Sequence, residues 1–163
     1  MTGRTAPKSI WKGRVRMFGF ELEGLDEIGN ALDDIPEAIL AGGEVGVGKG
    51  LRRIIRVAKP LAPVKTGDLR RSFGSKVERT ADGVEGTAYN VSDHAEYVEL
   101  GTGRRGAASP SPPKSPESVQ YSADWPGMDA QPFLYPALKL TQRFVKQDIA
   151  DAIQTEVDSH GAG

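Results

Sequence analysis

An α+β fold, with a small antiparallel β-sheet packed against a long helix and a C-terminal helix, is predicted by three features of the sequence. Between residues 47 and 59, Val47, Leu51, Ile54, Ile55 and Ala58 recur at helical spacing, while Lys49, Arg52, Arg53, Arg56 and Lys59 occupy the other side. This predicts an amphipathic helix with a basic outer face. Residues 69–79 and 84–91 are β-prone runs joined across Thr80, Ala81, Asp82 and Gly83. Asp-Gly between such runs is a strong hairpin signal. Leu134, Leu138, Val145, Ile149, Ala152 and Val157 then mark the apolar stripe of a final helix, with Phe144 and Ile153 at its margins.

Taken in order, residues 1–14 carry Arg4, Lys8, Lys12 and Arg14 and no acid, with Trp11 as the one large side chain. They are expected to form a flexible basic arm ahead of a single domain spanning 15–158. Residues 15–22 (VRMFGFEL) alternate roughly and predict a strand that pairs with the hairpin. Leu25, Ile28, Leu32, Ile35 and Ile39 predict a helix whose early acids suit the positive end of its dipole, and Pro36 is placed to begin a further helix.

Residues 42–50 (GGEVGVGKG) put Gly43, Gly48 and Lys49 at the spacing of a phosphate-binding loop. The match stops there: Gly50 stands where a Ser or Thr should reach the metal, and the preceding residues read as helix where a strand is required. The expectation is a flexible or loosely helical hinge. At residues 58–73 the chain makes a hard corner. Pro60 cannot continue a helix, Pro63 holds the next residues extended, Gly67 gives freedom for a tight turn, and the Thr66 and Asp68 side chains can bond nearby backbone donors.

Residues 95–100 (AEYVEL) read as a third short strand, stopped at Gly101, Thr102 and Gly103. Residues 103–130 are rich in Ser, Pro and Gly and are expected to be an extended loop insertion, either binding or disordered, basic at Arg104, Arg105 and Lys114 and anchored at its far end by Trp125 and Met128. Phe133 and Leu134 are expected to plug the core where order returns. Residues 159–163 are expected to fray.

These patterns narrow the function. With no cysteine, thiolate catalysis, disulfides and cysteine-held metals are excluded. No run reaches the length of a membrane span, and the first residues lack the apolar centre of a signal peptide. His94 has only His160 to help it, too few histidines for a metal centre. Ser92, Asp93 and His94 are chain neighbours expected to point apart, unlike a catalytic triad. No cofactor is expected. The net charge of −1 conceals segregation: from Glu21 to Gly48 every charge is acidic, and from Lys49 to Arg71 every charge is basic except Asp68. Opposed fields on one molecule favour head-to-tail association of copies or contact with a polyanion. Lys49, Arg52, Arg53, Arg56, Lys59, Arg104, Arg105 and Lys114 are the candidate subunit or DNA contacts.

Three segments in order carry a resemblance: Ala62 and Pro63 with Thr66, Gly67, Asp68 and Leu69; Tyr97, Val98 and Glu99 with Gly101 and Thr102; and Gln131, Pro132, Phe133 and Leu134 with Pro136, Ala137 and Leu138. They resemble the neck or tail-completion family of tailed bacteriophages, also called head–tail joining or minor tail proteins. The resemblance runs over residues 15–157. It implies a structural virion protein without catalytic activity, assembled in the host cytoplasm. It also implies a homo-oligomeric ring of six copies, with twelve as the alternative, between the head-closure or connector protein above and the tail terminator or tube protein below. Genomic DNA would pass through, contacted without sequence preference, and no membrane is involved. The neighbouring jobs of tail terminator and head closure are the alternatives within this class. A non-specific DNA-binding module and a nucleotide-binding protein are those outside it.

Overall fold

The computed structural model describes residues 37–81, 83–109 and 120–161. In chain order it has helix α1 (Glu37–Leu61), a helical turn α2 (Asp68–Arg71), strands β1 (Phe73–Thr80) and β2 (Gly83–Asn90), short helices α3 (Ala95–Leu100) and α4 (Gly103–Ala108), and helix α5 (Leu134–Gly161). The α+β prediction holds: a two-stranded antiparallel sheet lies on the long helix and the C-terminal helix packs beside it. The predicted arm, the strand at 15–22, the helix from Leu25 to Ile39 up to residue 36, and residues 110–119 of the loop lie outside the described residues.

The hairpin register runs from Phe73 opposite Asn90 to Thr80 opposite Gly83, so the connection is two residues long but Gly83 itself pairs in the ladder, one position from where an Asp-Gly turn would put it. Its inner face meets α1 where Gly86 allows contact; a Cβ there would lie 2.3 Å from Val47 Cγ1. Phe73 reaches past the sheet to Phe133, edge to face at 5.7 Å. Phe133 and Leu134 are fully buried and plug the core as expected, joined by Leu51, Ile54, Ala58, Ala137, Val145 and Ile149.

The glycine cluster is corrected. It is neither a hinge nor a phosphate loop but the middle of an unbroken helix. Gly42, Gly46 and Gly50 share one face at four-residue steps, opposite Ile153, Ile149 and Val145 of α5, so the two helices run antiparallel. Added Cβ atoms would meet Ile153 Cα at 2.5 Å, Ile149 Cα at 2.5 Å and Val145 Cγ1 at 2.6 Å. Missing side chains therefore let two backbones approach, and the resulting contact offsets the helix propensity that each glycine costs.

Four further expectations are corrected. Helix α1 runs through Pro60 to Leu61; so close to the helix end the proline forfeits one amide bond and leaves no long segment beyond it to be redirected, and Ala62 still bonds the Ala58 carbonyl at 3.0 Å. Residues 95–100 are helix, because Ala95, Val98 and Glu99 are buried at steps of three and four, a helical period that the β-prone Tyr97 and Val98 masked. The first six residues of the expected loop, Gly103–Ala108, are helical. Helix α5 continues to Gly161, so the described part of the tail is ordered, and Val157 is 39% exposed and outside the core stripe, which instead includes Thr141 and Asp148.

Asp148 is nearly buried in that stripe. Its carboxylate takes a fork from Arg53, with Nε at 2.6 Å and Nη2 at 2.9 Å, and Lys49 stands 3.7 Å away. The Arg53 guanidinium holds the Asp148 carboxyl below the usual carboxylate range, against the opposing effect of burial. A depressed folded-state value means that the stabilisation is present above the unfolded value near about 3.9 and disappears as pH falls through the folded one. Asp148→Asn is expected to cost about 1–2 kcal/mol at pH 7, since charge-assisted bonds are lost while half-exposed Arg53 can rehydrate. The gap between variant and wild type should close below about pH 4. Urea unfolding at a series of pH values measures it, and a gap independent of pH would refute the assignment.

Candidate functional site

The three signature segments converge on one corner of the molecule. Gly67 adopts φ 78°, a left-handed conformation that glycine accepts without strain. The Thr66 hydroxyl accepts the Asp68 amide at 3.4 Å. The following turn is fastened to the end of β2 by two buried side chains. Asn90 Nδ2 donates to the Leu69 carbonyl at 2.7 Å, and Ser92 Oγ donates to Asp68 Oδ2 at 2.8 Å. Leu69 fills the core beneath. Arg70 reaches back to the carbonyls of Ala62 and Pro60, and Arg71 to that of Thr66, so both cations knit the corner together.

The second and third segments are joined by Glu99, whose side chain is wholly buried. Oε2 accepts the amides of Phe133 at 2.8 Å and Leu134 at 3.0 Å, and Oε1 accepts that of Tyr135 at 2.8 Å. These are amides of the first turn of α5, which have no partner within the helix. A carboxylate there also suits the positive end of the helix dipole. Beside it Thr102 and Met128 exchange backbone bonds, and Gly101 at φ 73° is pressed so closely that a Cβ would lie 2.7 Å from Ala130 N. Tyr121 Oη bonds the Leu100 carbonyl at 2.7 Å. Burial raises the affinity of that phenol for its proton. Pro132 and Pro136 are buried, while Tyr97 points outward, 56% exposed.

A notch of about 280 Å³ lies at this corner, lined by Pro63, Lys65, Asp68, His94, Val98 and Met128 among others. The structure corrects one expectation here: Ser92 and His94 do meet, at 3.0 Å between Oγ and Nδ1, and the carboxylate beside Ser92 is that of Asp68. The order is wrong for nucleophilic catalysis. A hydroxyl has one proton; with it given to Asp68, Ser92 accepts from His94, whereas a triad puts the imidazole between serine and carboxylate as base. The cluster fastens the corner.

The candidate contact residues separate into used and exposed. Lys49 and Arg53 serve Asp148, and Arg105 pairs with Asp129, tying α4 to the segment before α5. Arg53 also lies over the Phe144 ring, 5.5 Å from its centroid. Arg52, Arg56 and Lys59 are exposed on the outer face of α1, and Arg104 is exposed on α4; no acid among the described residues pairs with them. Lys114 lies outside the described residues. Trp125, expected as an anchor, is 55% exposed, and Met128 is the one that packs on the core. Sequence reasoning did not find Asn90, Ser92 and Asp148 as structural groups. The available signal was a polar residue at an apolar register position: Asn90 at the inward end of β2, Asp148 one step from Ile149.

Among the described residues no helix is long and apolar enough to cross a membrane. No curated protein and no solved structure was found to match the chain. Residues 26–101 match the HK97-gp10-like family model, described as "Bacteriophage HK97-gp10, putative tail-component". That span holds the long helix, the corner, the hairpin and α3 with Glu99. Over these residues, a little under half of its length, the chain is similar to the HK97-gp10-like family of bacteriophage tail components.

Proposed function

We propose that the protein forms a ring in the neck of a tailed bacteriophage, joining the head connector to the tail tube and letting DNA pass. The observation that carries this reading is the use to which the signature residues are put. Thr66, Gly67, Leu69, Glu99, Gly101, Thr102 and Phe133 are spent on holding one corner in shape. The exposed charge of α1 remains outside that corner for contact with other molecules. A tail component works through its surfaces, and copies that meet head to tail close into a ring when the rotation per copy divides the circle. Six copies are expected, with the head-closure or connector protein on one side and the tail terminator or tube protein on the other.

Native mass spectrometry of the purified protein should give a sixfold assembly. Twelvefold mass would keep the ring and change its copy number. A monomer at every concentration, together with virions whose chemical cross-links never join this chain to connector or tube proteins, would overturn the proposal.

A further inference from the structure

The two long helices carry exposed stripes that other described elements pair only at Lys49, beside Asp148, and Phe144, beneath Arg53. On α1, Val45, Lys49, Arg52, Arg56 and Lys59 are exposed at alternating steps of four and three residues. On α5, Leu140, Phe144, Gln147, Asp151, Gln154 and Asp158 are exposed with the same alternation. This is the spacing that keeps a seam on one side of a helix facing a partner helix. One stripe is cationic after Val45. The other begins with Leu140, 63% exposed, and Phe144, and ends in acid. Gln147 and Gln154 hold Asp151 and Asp158 along the stripe by hydrogen bonds of 2.6 and 2.7 Å.

The two stripes cannot meet within one molecule. Helix α1 already faces α5 through Gly42, Gly46 and Gly50, and α5 answers with Val145, Ile149 and Ile153, so the stripes lie outside that contact with only Lys49 and Phe144 at its margin. The acids of the α1 side are not available either, because Arg79 holds Glu37 at 2.7 Å and Glu44 at 2.8 Å. Asp158 moreover lies in the last turn of α5, where the helix dipole favours cations, so its charge does not serve the isolated helix.

We propose that the basic stripe of α1 packs against the acidic stripe of α5 on a second copy of this chain, with Arg52 and Arg56 facing Asp151 and Asp158. The inference rests on the ring reading above and specifies the surfaces that meet. The contact is heterologous: each copy keeps one basic and one acidic stripe for its two neighbours, so it propagates until it closes. The exposed Leu140 and Phe144 lie in line with the acids, at the N-terminal end of the stripe, and extend the contact with apolar area.

Two double variants test this, Arg52→Glu with Arg56→Glu and Asp151→Lys with Asp158→Lys. All four side chains are exposed, and circular dichroism with thermal melting checks that each variant folds. Like charges should then face one another, and self-association by sedimentation should weaken on the order of a hundredfold in each variant alone. An equimolar mixture should assemble again, because the reversed α1 of one variant meets the reversed α5 of the other. Higher salt should weaken both the wild type and the mixture. Variants that assemble like the wild type, or folded variants that the mixture does not rescue, overturn the pairing while leaving a ring intact as an idea. Loss of DNA binding with assembly unchanged would give the α1 stripe to DNA and also overturn it. A wild type that never assembles defeats the ring reading itself.

Discussion

Replacing Glu99 with alanine is expected to destabilise the fold by about 3–5 kcal/mol, a large part of the 5–15 kcal/mol typical of a single domain. The carboxylate accepts three backbone amides at the start of α5, at 2.8, 3.0 and 2.8 Å, in a place with no solvent access. Each hydrogen bond to a charged group is worth roughly 1.5–3 kcal/mol, and removing the acceptor strands buried donors that water cannot reach without opening the corner. Glu99→Gln should recover less than half of the loss. Its carbonyl oxygen can serve one side, but its amide nitrogen then turns a donor toward a donor. Glu99→Asp retracts the carboxylate by one methylene and should fall between the two. Urea unfolding measures all three, and an alanine variant within about 0.5 kcal/mol of wild type would refute the capping role.

Gly46→Ala is expected to destabilise by about 2–3 kcal/mol although helix propensity alone favours alanine by about 1 kcal/mol. The new methyl would sit 2.5 Å from Ile149 Cα and 3.1 Å from the Asp148 carbonyl oxygen. Those neighbours are largely backbone, so α1 and α5 must separate along their length, loosening the packing of Val145, Ile149 and the Arg53 fork on Asp148. Gly48→Ala provides the opposite sign in the same helix. Its nearest neighbours are Arg52 Nη1 at 3.5 Å and Val77 Cγ2 at 3.9 Å, ordinary contacts, so the propensity gain of up to about 1 kcal/mol should survive. Thermal melts of the two variants decide the matter. Equal shifts in the same direction would show that propensity governs this stretch and that the close crossing of the helices does not.

The legible parts of the fold were those where a local pattern has one physical solution. Asp-Gly between β-prone runs set the hairpin, and the spacing of Leu51, Ile54 and Ala58 set the buried face of α1. Phe133 and Leu134 were legible as core residues because two large apolar side chains after a polar loop have nowhere else to go. Residues 95–100 were misread for the converse reason. A six-residue segment holds too few periods to separate alternation from helical spacing, and its helix is decided by what Ala95, Val98 and Glu99 are buried against. The glycines at 42, 46 and 50 were misread because a missing side chain has no signature of its own. Only the facing helix turns an entropic cost into a contact.

The candidate site divides in the same way. Opposed charge along the chain is a property of composition and order, and it was readable without any coordinates, as were the motif segments around Gly67, Glu99 and Pro132. Which charges remain outward was not readable, because pairing depends on through-space distance: Asp148 lies 95 positions from Arg53 in the chain and 2.6 Å from it in the fold. By itself the sequence determined the element types with strong periods, the corner at Pro63 and Gly67, and the charge blocks, since each arises from residues near one another along the chain. Tertiary structure alone decided that the glycines join two helices, that Glu99 caps the helix beginning 35 residues later, and that Arg52, Arg56, Asp151 and Asp158 face outward on different helices. Those outcomes depend on which surfaces exclude water from one another, and that is settled only when the whole chain has packed.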